Sequence, residues 1–193
     1  MLLYSHLEGR ESMSFLEKKD NLIIIGFVVV FFIGLSAWYG GVSFVPSSAS
    51  ASAFDIPFVN ENQQQVNLNQ FKGKPLVVNF WATWCPVCVK KMGTLNRFAE
   101  KFQANGGQVL AISQDSGGLS TVRSYYTRNQ YKNLAIYLES SGQLSNTFGV
   151  KGLPTTIFID AQGKEVGRLE GGVDWESSDV AELIRQYFGL NLS

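Results

Sequence analysis

The sequence has few of the residues that usually bind transition metals, with only two cysteines and one histidine among 193 residues. A structural zinc site built from cysteine and histidine needs four such side chains. His6 lies in the N-terminal segment, far along the chain from Cys85 and Cys88. The composition therefore excludes a zinc site of this kind, and we expect no bound metal.

The formal net charge is zero, because 16 basic residues are balanced by 16 acidic ones. The lysines and arginines are scattered along the chain, whereas nucleic-acid-binding domains concentrate them on one face or stripe. The sequence therefore gives no sign of a nucleic-acid partner.

Residues 21–53 contain no charged side chain, and 22–39 is almost continuously apolar. About 20 apolar residues suffice to cross a bilayer. Arg10, Lys18 and Lys19 precede this run, and the next cation is Lys72. Because basic residues favour the cytoplasmic side, the pattern predicts a cytoplasmic segment 1–21, a single transmembrane anchor 22–45 and a following domain in the periplasm, with the chain held in a bacterial inner membrane.

A cleaved signal peptide is the alternative, since the small residues 47–53 would suit a cleavage site. The apolar run is longer than a signal peptide normally has, which favours an uncleaved anchor. Residues 46–54 then form a Ser/Ala-rich linker, and 55–193 form the folded domain. Met1 and Met13 are both candidate start sites.

Short apolar runs alternate with helical patterns in the second part of the chain. The predicted strands cover 76–81, 108–113, 134–138, 157–160 and 164–169, and the predicted helices cover 86–104, 119–128, 143–148 and 178–188. A weaker alternation within 54–71 suggests a hairpin. This order predicts an α/β fold with a mixed central sheet and helices on both faces.

Cys85-Pro-Val-Cys88 stands between the first of these strands and its helix. Pro86 suits the first helical turn, so Cys85 is expected at the helix N-terminus, where free N–H groups favour a thiolate. Cys88, one turn later, can reach Cys85. One exposed nucleophile with one resolving thiol is what dithiol–disulfide exchange requires. The alternative, a purely structural disulfide, would stabilise little because its loop is so short.

Phe80-Trp-Ala-Thr-Trp-Cys-Pro-Val-Cys88 and Gly152-Leu-Pro-Thr-Thr156 resemble the motifs of thioredoxin-fold proteins. The closest resemblance is to the membrane-anchored TlpA/ResA-like branch, which includes the DsbE/CcmG group of cytochrome c maturation, and it covers about 55–190. It implies that Cys85 attacks, Cys88 resolves and Pro154 is a cis-proline. It further implies supporting roles around the disulfide and the substrate groove for Trp84, Pro86, Val87, Leu153 and Thr155.

Positions 79 and 91 are those where the resembled branch has residues that affect the protonation of the resolving thiol, Cys88. Members of this branch usually have Asn where this chain has Asn79, and Glu where it has Lys91. With the usual acid missing, Lys90 and Lys91 would add positive charge near the thiols. We hypothesise that they lower the thiol pKa and make the pair more oxidising. The alternative is that both lysines are merely solvated.

Aromatic residues accompany the motif. Trp84 is expected beside the disulfide, and Trp81 either there or in the core. Trp175 either flanks the substrate groove or covers the sheet edge, and the second interpretation is favoured. We expect Tyr125, Tyr126 and Tyr131 to belong to the core and surface of a helix.

The resemblance implies a membrane-tethered thiol–disulfide oxidoreductase with no cofactor beyond its own Cys85–Cys88 pair. Its expected partners are apocytochrome c or copper-delivery proteins and a membrane electron donor of the DsbD/CcdA type. A second interpretation reverses the electron flow and gives a periplasmic oxidant or stress-response protein. A third is a chaperone that binds Cu(I) through the two sulfurs.

Overall fold

The computed structural model describes residues 51–192. The predicted cytoplasmic segment, the predicted anchor and the first part of the predicted linker lie outside these residues. No helix within the described part is long and apolar enough to cross a bilayer. The last predicted linker residues, Ala53 and Phe54, are buried in a 3-10 helix, Ala51–Asp55, so the packed domain begins before residue 55.

Seven strands form one mixed sheet in the order β2-β1-β5-β4-β3-β6-β7. They are β1 (Phe58–Asn60), β2 (Gln65–Val66), β3 (Leu76–Trp81), β4 (Gln108–Ser113), β5 (Tyr137–Leu138), β6 (Thr155–Ile159) and β7 (Glu165–Glu170). The central pairs β3–β4 and β4–β5 are parallel, while β6 runs antiparallel to β3 and β7 antiparallel to β6. The mixed sheet and the N-terminal hairpin β1–β2 are thus confirmed.

Within residues 51–192, four α-helices cover the sheet, and a second 3-10 helix spans Leu68–Phe71. They are α1 (Pro86–Ala104), α2 (Gly118–Asn129), α3 (Gln143–Thr147) and α4 (Ser178–Phe188). The apolar stripes of α1, α2 and α4 pack in one core cluster, and α3 packs with the first 3-10 helix in the other. Helices therefore lie on both faces, as predicted.

β5 is shorter than the predicted strand 134–138. It pairs with β4 only at Ile112 and Ser113, so the preceding residues have no ladder partner. Leu134 and Ile136 are nevertheless buried. The apolar run 134–138 therefore reflects burial against the core, and only its last two residues pair in the sheet.

Parallel β3 and β4 end at the same edge of the sheet, and antiparallel β6 begins there. The loops that follow Trp81 and Ser113 and the loop that precedes Thr155 consequently meet at this edge. It is here that both cysteines lie.

Candidate active site

Cys85 caps the N-terminus of α1, with Pro86 at the first helical position as predicted. The Cys85 backbone is extended (φ −92°, ψ 106°), and its Sγ accepts a hydrogen bond from the Cys88 backbone N–H at 3.2 Å. A sulfur in this position faces the unpaired N–H groups and the positive end of the helix dipole, both of which stabilise a thiolate. The helix start therefore activates Cys85.

The two cysteines are joined in a disulfide, with their Cα atoms 5.2 Å apart. In this oxidised form Cys85 is only 6% exposed and Cys88 only 3%. The nucleophile is thus more covered than the sequence led us to expect. The neighbouring Trp84 and Val87 are 65% and 50% exposed, so the surface beside the disulfide is apolar.

A buried carboxylate, Asp115, holds the loop that leads into Cys85. It accepts hydrogen bonds from the Thr83 backbone N–H at 3.0 Å, from Thr83 Oγ1 at 2.6 Å and from Ser113 Oγ at 2.6 Å. Asp115 itself is 2% exposed. The end of β4 therefore fixes the loop that carries the nucleophile.

The loop before β6 forms the wall of the site that faces α1. The Leu153–Pro154 peptide bond is cis, as the resemblance implied. Pro154 is buried, its carbonyl accepts a hydrogen bond from the Gly171 N–H at 2.8 Å, and Thr155 Oγ1 donates to the Gly152 carbonyl at 2.7 Å. Leu153 is half-buried and packs at the margin of both core clusters.

A small cleft lies between this wall and α1. Eleven residues line it, and they come from β3, α1, the loop before β6, β6 and the segment after β7: Asn79, Cys88, Lys91, Met92, Leu95, Pro154, Thr156, Gly171, Gly172, Val173 and Trp175. The cleft therefore brings together one of the cysteines, the cis-proline and both predicted pKa-tuning residues.

Within the cleft, the Asn79 side chain is buried and its Nδ2 donates a hydrogen bond to Thr156 Oγ1 at 2.8 Å. Trp175 is 5% exposed and its ring lies 4.9 Å from that of Phe98. Trp175 therefore packs in the core cluster and also lines the cleft, and its role as a cover for the sheet edge or as a flank of the substrate groove stays a prediction.

Trp81 belongs to the core rather than to the surface around the disulfide. It is fully buried, with its ring 5.5 Å from Tyr125 and 5.8 Å from Tyr126. Burial raises the pKa of the Tyr126 phenol far above its usual value, so this hydroxyl stays neutral. The tyrosines are core residues of α2, as expected, and Tyr131 packs against them.

Sequence reasoning missed Asp115 and the segment Gly171–Val173. Asp115 follows β4 closely, and β4 pairs in parallel with β3. A carboxylate at that position could have been placed beside the Cys85 loop from topology alone. No comparable signal identifies the glycine segment. Among residues 51–192 no cluster of three or more histidine, cysteine or acidic side chains is arranged to hold a metal.

The sequence is similar to that of a known protein family and to those of individual curated proteins. The profile of the AhpC/TSA family matches residues 48–165. The thiol-disulfide oxidoreductase ResA of Bacillus thuringiensis subsp. konkukian is 31% identical over 108 residues, which are 56% of this chain and 61% of that protein. The chain thus spans about three fifths of this curated relative.

Other similarities extend further along the chain. ResA of Bacillus subtilis (strain 168) is 26% identical over 179 residues, covering 91% of this chain and 96% of the relative. A proposed thiol:disulfide interchange protein DsbE from Chlorobium tepidum superposes with a TM-score of 0.61 at 22% identity, covering 76% of this chain and 96% of that one. At this identity the superposition shows a shared thioredoxin-type fold.

Proposed function

Since the chain belongs to the AhpC/TSA family, we propose that it is a thiol–disulfide oxidoreductase of the ResA/DsbE type, which exchanges electrons with cysteines of other proteins. The observation that carries this proposal is the Cys85–Cys88 disulfide at the N-terminus of α1, with cis Pro154 in the adjacent cleft. Relatives named thiol-disulfide oxidoreductase support it.

In the reducing direction, the Cys85 thiolate attacks one sulfur of a client disulfide. A bond forms between Cys85 and that sulfur, the client disulfide breaks, and the other client sulfur leaves as a thiolate. Cys88 then attacks the Cys85 sulfur, closing the Cys85–Cys88 disulfide and releasing the second client thiolate. Two electrons pass from this chain to the client.

The exposed side chains of Trp84 and Val87 support this order of attack. They form an apolar surface around Cys85, the residue that caps the helix. Cys88 lies in the cleft instead, one turn further along α1. A client docked on the apolar surface would therefore meet Cys85 first.

We place the redox domain in the periplasm, tethered to a bacterial inner membrane by the predicted anchor 22–45. The support is the uncharged apolar run together with the excess of basic residues before it. An oxidising compartment suits a Cys-x-x-Cys pair that acts on the disulfides of exported proteins.

The clients we propose are apocytochrome c or copper-delivery proteins that serve cytochrome oxidase. After each turnover the Cys85–Cys88 disulfide needs two electrons, for which we propose a membrane dithiol donor of the DsbD/CcdA type. Both proposals extend the resemblance to the TlpA/ResA-like branch.

A second candidate keeps this chemistry but reverses the electron flow, so that the disulfide form oxidises its client. The observation that favours it is the position of Lys91, a cation in the cleft beside Cys88. A positive charge stabilises the thiolate of the reduced pair and so makes the disulfide a stronger oxidant.

Trapping in cells tests the proposed exchange. The Cys88→Ala variant of the full-length chain should accumulate as a mixed disulfide between Cys85 and its client, because the resolving sulfur is gone. Non-reducing gels and mass spectrometry would identify the adduct. The matched Cys85→Ala variant should capture nothing. If Cys88→Ala captures no protein while the wild-type chain is active, the assigned roles are wrong.

A further inference from the structure

The cleft beside the disulfide contains a single charged side chain, Lys91. The other lining residues, apart from Cys88 itself, are apolar, glycine, or the neutral Asn79 and Thr156. Asn79 and Thr156 are hydrogen-bonded to each other. Among the described residues, Lys91 is therefore the one basic or acidic side chain that lines the cleft.

The segment after β7 passes close to the base of the Lys91 side chain. A Cβ atom built on Gly172 would lie 3.2 Å from Lys91 Cγ and 2.6 Å from Val87 Cγ1, so the backbone at Gly172 lies directly against the first turns of α1. Lys91 itself is half-buried. No ion pair found within residues 51–192 involves Lys91.

Other charged groups near the site are placed differently. The Asp115 carboxylate accepts hydrogen bonds from Thr83 and Ser113 on the β4 side of the loop. Glu170 and Asp174 flank the glycine segment, but both are exposed and neither lines the cleft. Lys90 is exposed and also lies outside the cleft lining.

A thiolate at Cys88 needs a compensating charge. Cys88 is 3% exposed, and burial disfavours the ionised form of a thiol. An opposite charge nearby offsets that cost and lowers the pKa. We propose that the Lys91 ammonium is this counter-charge, so that Lys91 acts through Cys88 to set both the ionisation of the resolving thiol and the reduction potential of the pair.

This inference rests on the proposed function and deepens it. In the second step of exchange, an ionised Cys88 can attack the Cys85 sulfur without first losing a proton. The Cys85–client bond breaks and the client sulfur leaves with the electron pair. Lys91 does not take part in any bond. Its charge favours the dithiol state, so the disulfide becomes more oxidising.

The first test measures the pKa of Cys88 by ¹³C NMR of a Cβ-labelled cysteine in full-length chains that carry Cys85→Ser. Adding Lys91→Met should raise this pKa by about one pH unit, the lower end of the effect of a nearby opposite charge. Lys91→Arg should retain most of the wild-type value. Lys90→Met is the matched control, and it should leave the pKa within a few tenths of a pH unit.

The second test follows the Cys85–Cys88 pair in glutathione buffers of increasing pH. Above both pKa values, Lys91→Met should lower the equilibrium constant for reduction about tenfold, which corresponds to about 30 mV. At acid pH, where Cys88 is protonated in both chains, the two potentials should converge. A purely structural role would not produce this convergence.

The outcomes separate this inference from the proposed function. If the wild-type pair titrates with glutathione but Lys91→Met changes neither the Cys88 pKa nor the potential, Lys91 is not the counter-charge and the exchange chemistry stands. If Lys90→Met has the same effect as Lys91→Met, the inference also fails, because the charge would act from the general surface. A wild-type pair that does not titrate at all would refute the proposed function itself.

Discussion

Asp115 organises the active-site loop through three hydrogen bonds from Thr83 and Ser113. Hydrogen bonds to a charged acceptor are stronger than those between neutral groups. Leaving their buried donors unpaired also costs more than the bonds contribute. One side chain just after β4 therefore controls the conformation of the residues that precede Cys85.

Replacing Asp115 by Ala should lower the free energy of unfolding by about 2–3 kcal/mol, because the Thr83 and Ser113 donors lose their acceptor. It should also slow the reaction of reduced Cys85 with an added disulfide. Urea denaturation and stopped-flow exchange would measure the two effects. The adjacent exposed Ser116→Ala is the control, and an Asp115→Ala chain as stable as this control would contradict the assigned role.

At the scale of single residues, local sequence identified the residues that form a contiguous motif. Cys85 and Cys88 follow from their spacing before a helix, and cis Pro154 followed from the family resemblance. The contacts of Trp175 and Gly172 depend on how the segment after β7 crosses α1. Tertiary packing decides that path, so the sequence alone could not place them.

Two glycines affect the packing of helix α1, which begins directly after Cys85 and contains Cys88. Gly93 lies within the helix, and a Cβ built there would have its nearest neighbour, Tyr131 Oη, at 3.9 Å. Gly172 lies outside the helix, where a Cβ would lie 2.6 Å from Val87 Cγ1 and 3.6 Å from the Val87 carbonyl oxygen. The first site has room for a methyl group and the second does not.

These two sites predict opposite effects of the same substitution. Gly93→Ala should stabilise the chain by about 0.5–1 kcal/mol, because glycine is unfavourable in a helix interior. Gly172→Ala should destabilise it by about 1–3 kcal/mol, because the segment must move away from α1. Urea denaturation of the oxidised chains measures both. Gly152→Ala, where a Cβ would meet nothing within 4 Å, should change little.

If Gly172→Ala were as stable as Gly152→Ala, the close packing of the glycine segment on α1 would be refuted. The same result would also contradict the close approach of this segment to Lys91, since the Cβ built on Gly172 would lie 3.2 Å from Lys91 Cγ.

At the scale of elements, long periodic segments were predicted well and short ones less well. The strand 76–81 and the helix 86–104 have the predicted bounds, because β-branched runs and helical spacing both persist there. The strand predicted at 134–138 was reduced to Tyr137–Leu138, since β4 offers a partner only near its end. Burial pattern alone cannot show where a neighbouring strand stops pairing.

In the folded domain as a whole, the residues of the candidate active site lie at one edge of the sheet. The loops after β3 and β4 and the loop before β6 converge there, bringing Cys85, Asp115 and Pro154 to the same edge. Phe54, in the first 3-10 helix, instead packs near Gly163 in the β6–β7 turn, at the opposite edge. The α/β class and mixed sheet were predictable from element order, whereas this meeting of distant loops required the structure.

Redox titration of the full-length chain tests the central claim most directly. The protein would be equilibrated at a series of ratios of reduced to oxidised glutathione, quenched with acid, alkylated and weighed by mass spectrometry. We predict one cooperative two-electron transition between a dithiol form and a Cys85–Cys88 disulfide form. Thiols that stay in one state at every ratio, or that take up glutathione singly without closing the disulfide, would contradict the account.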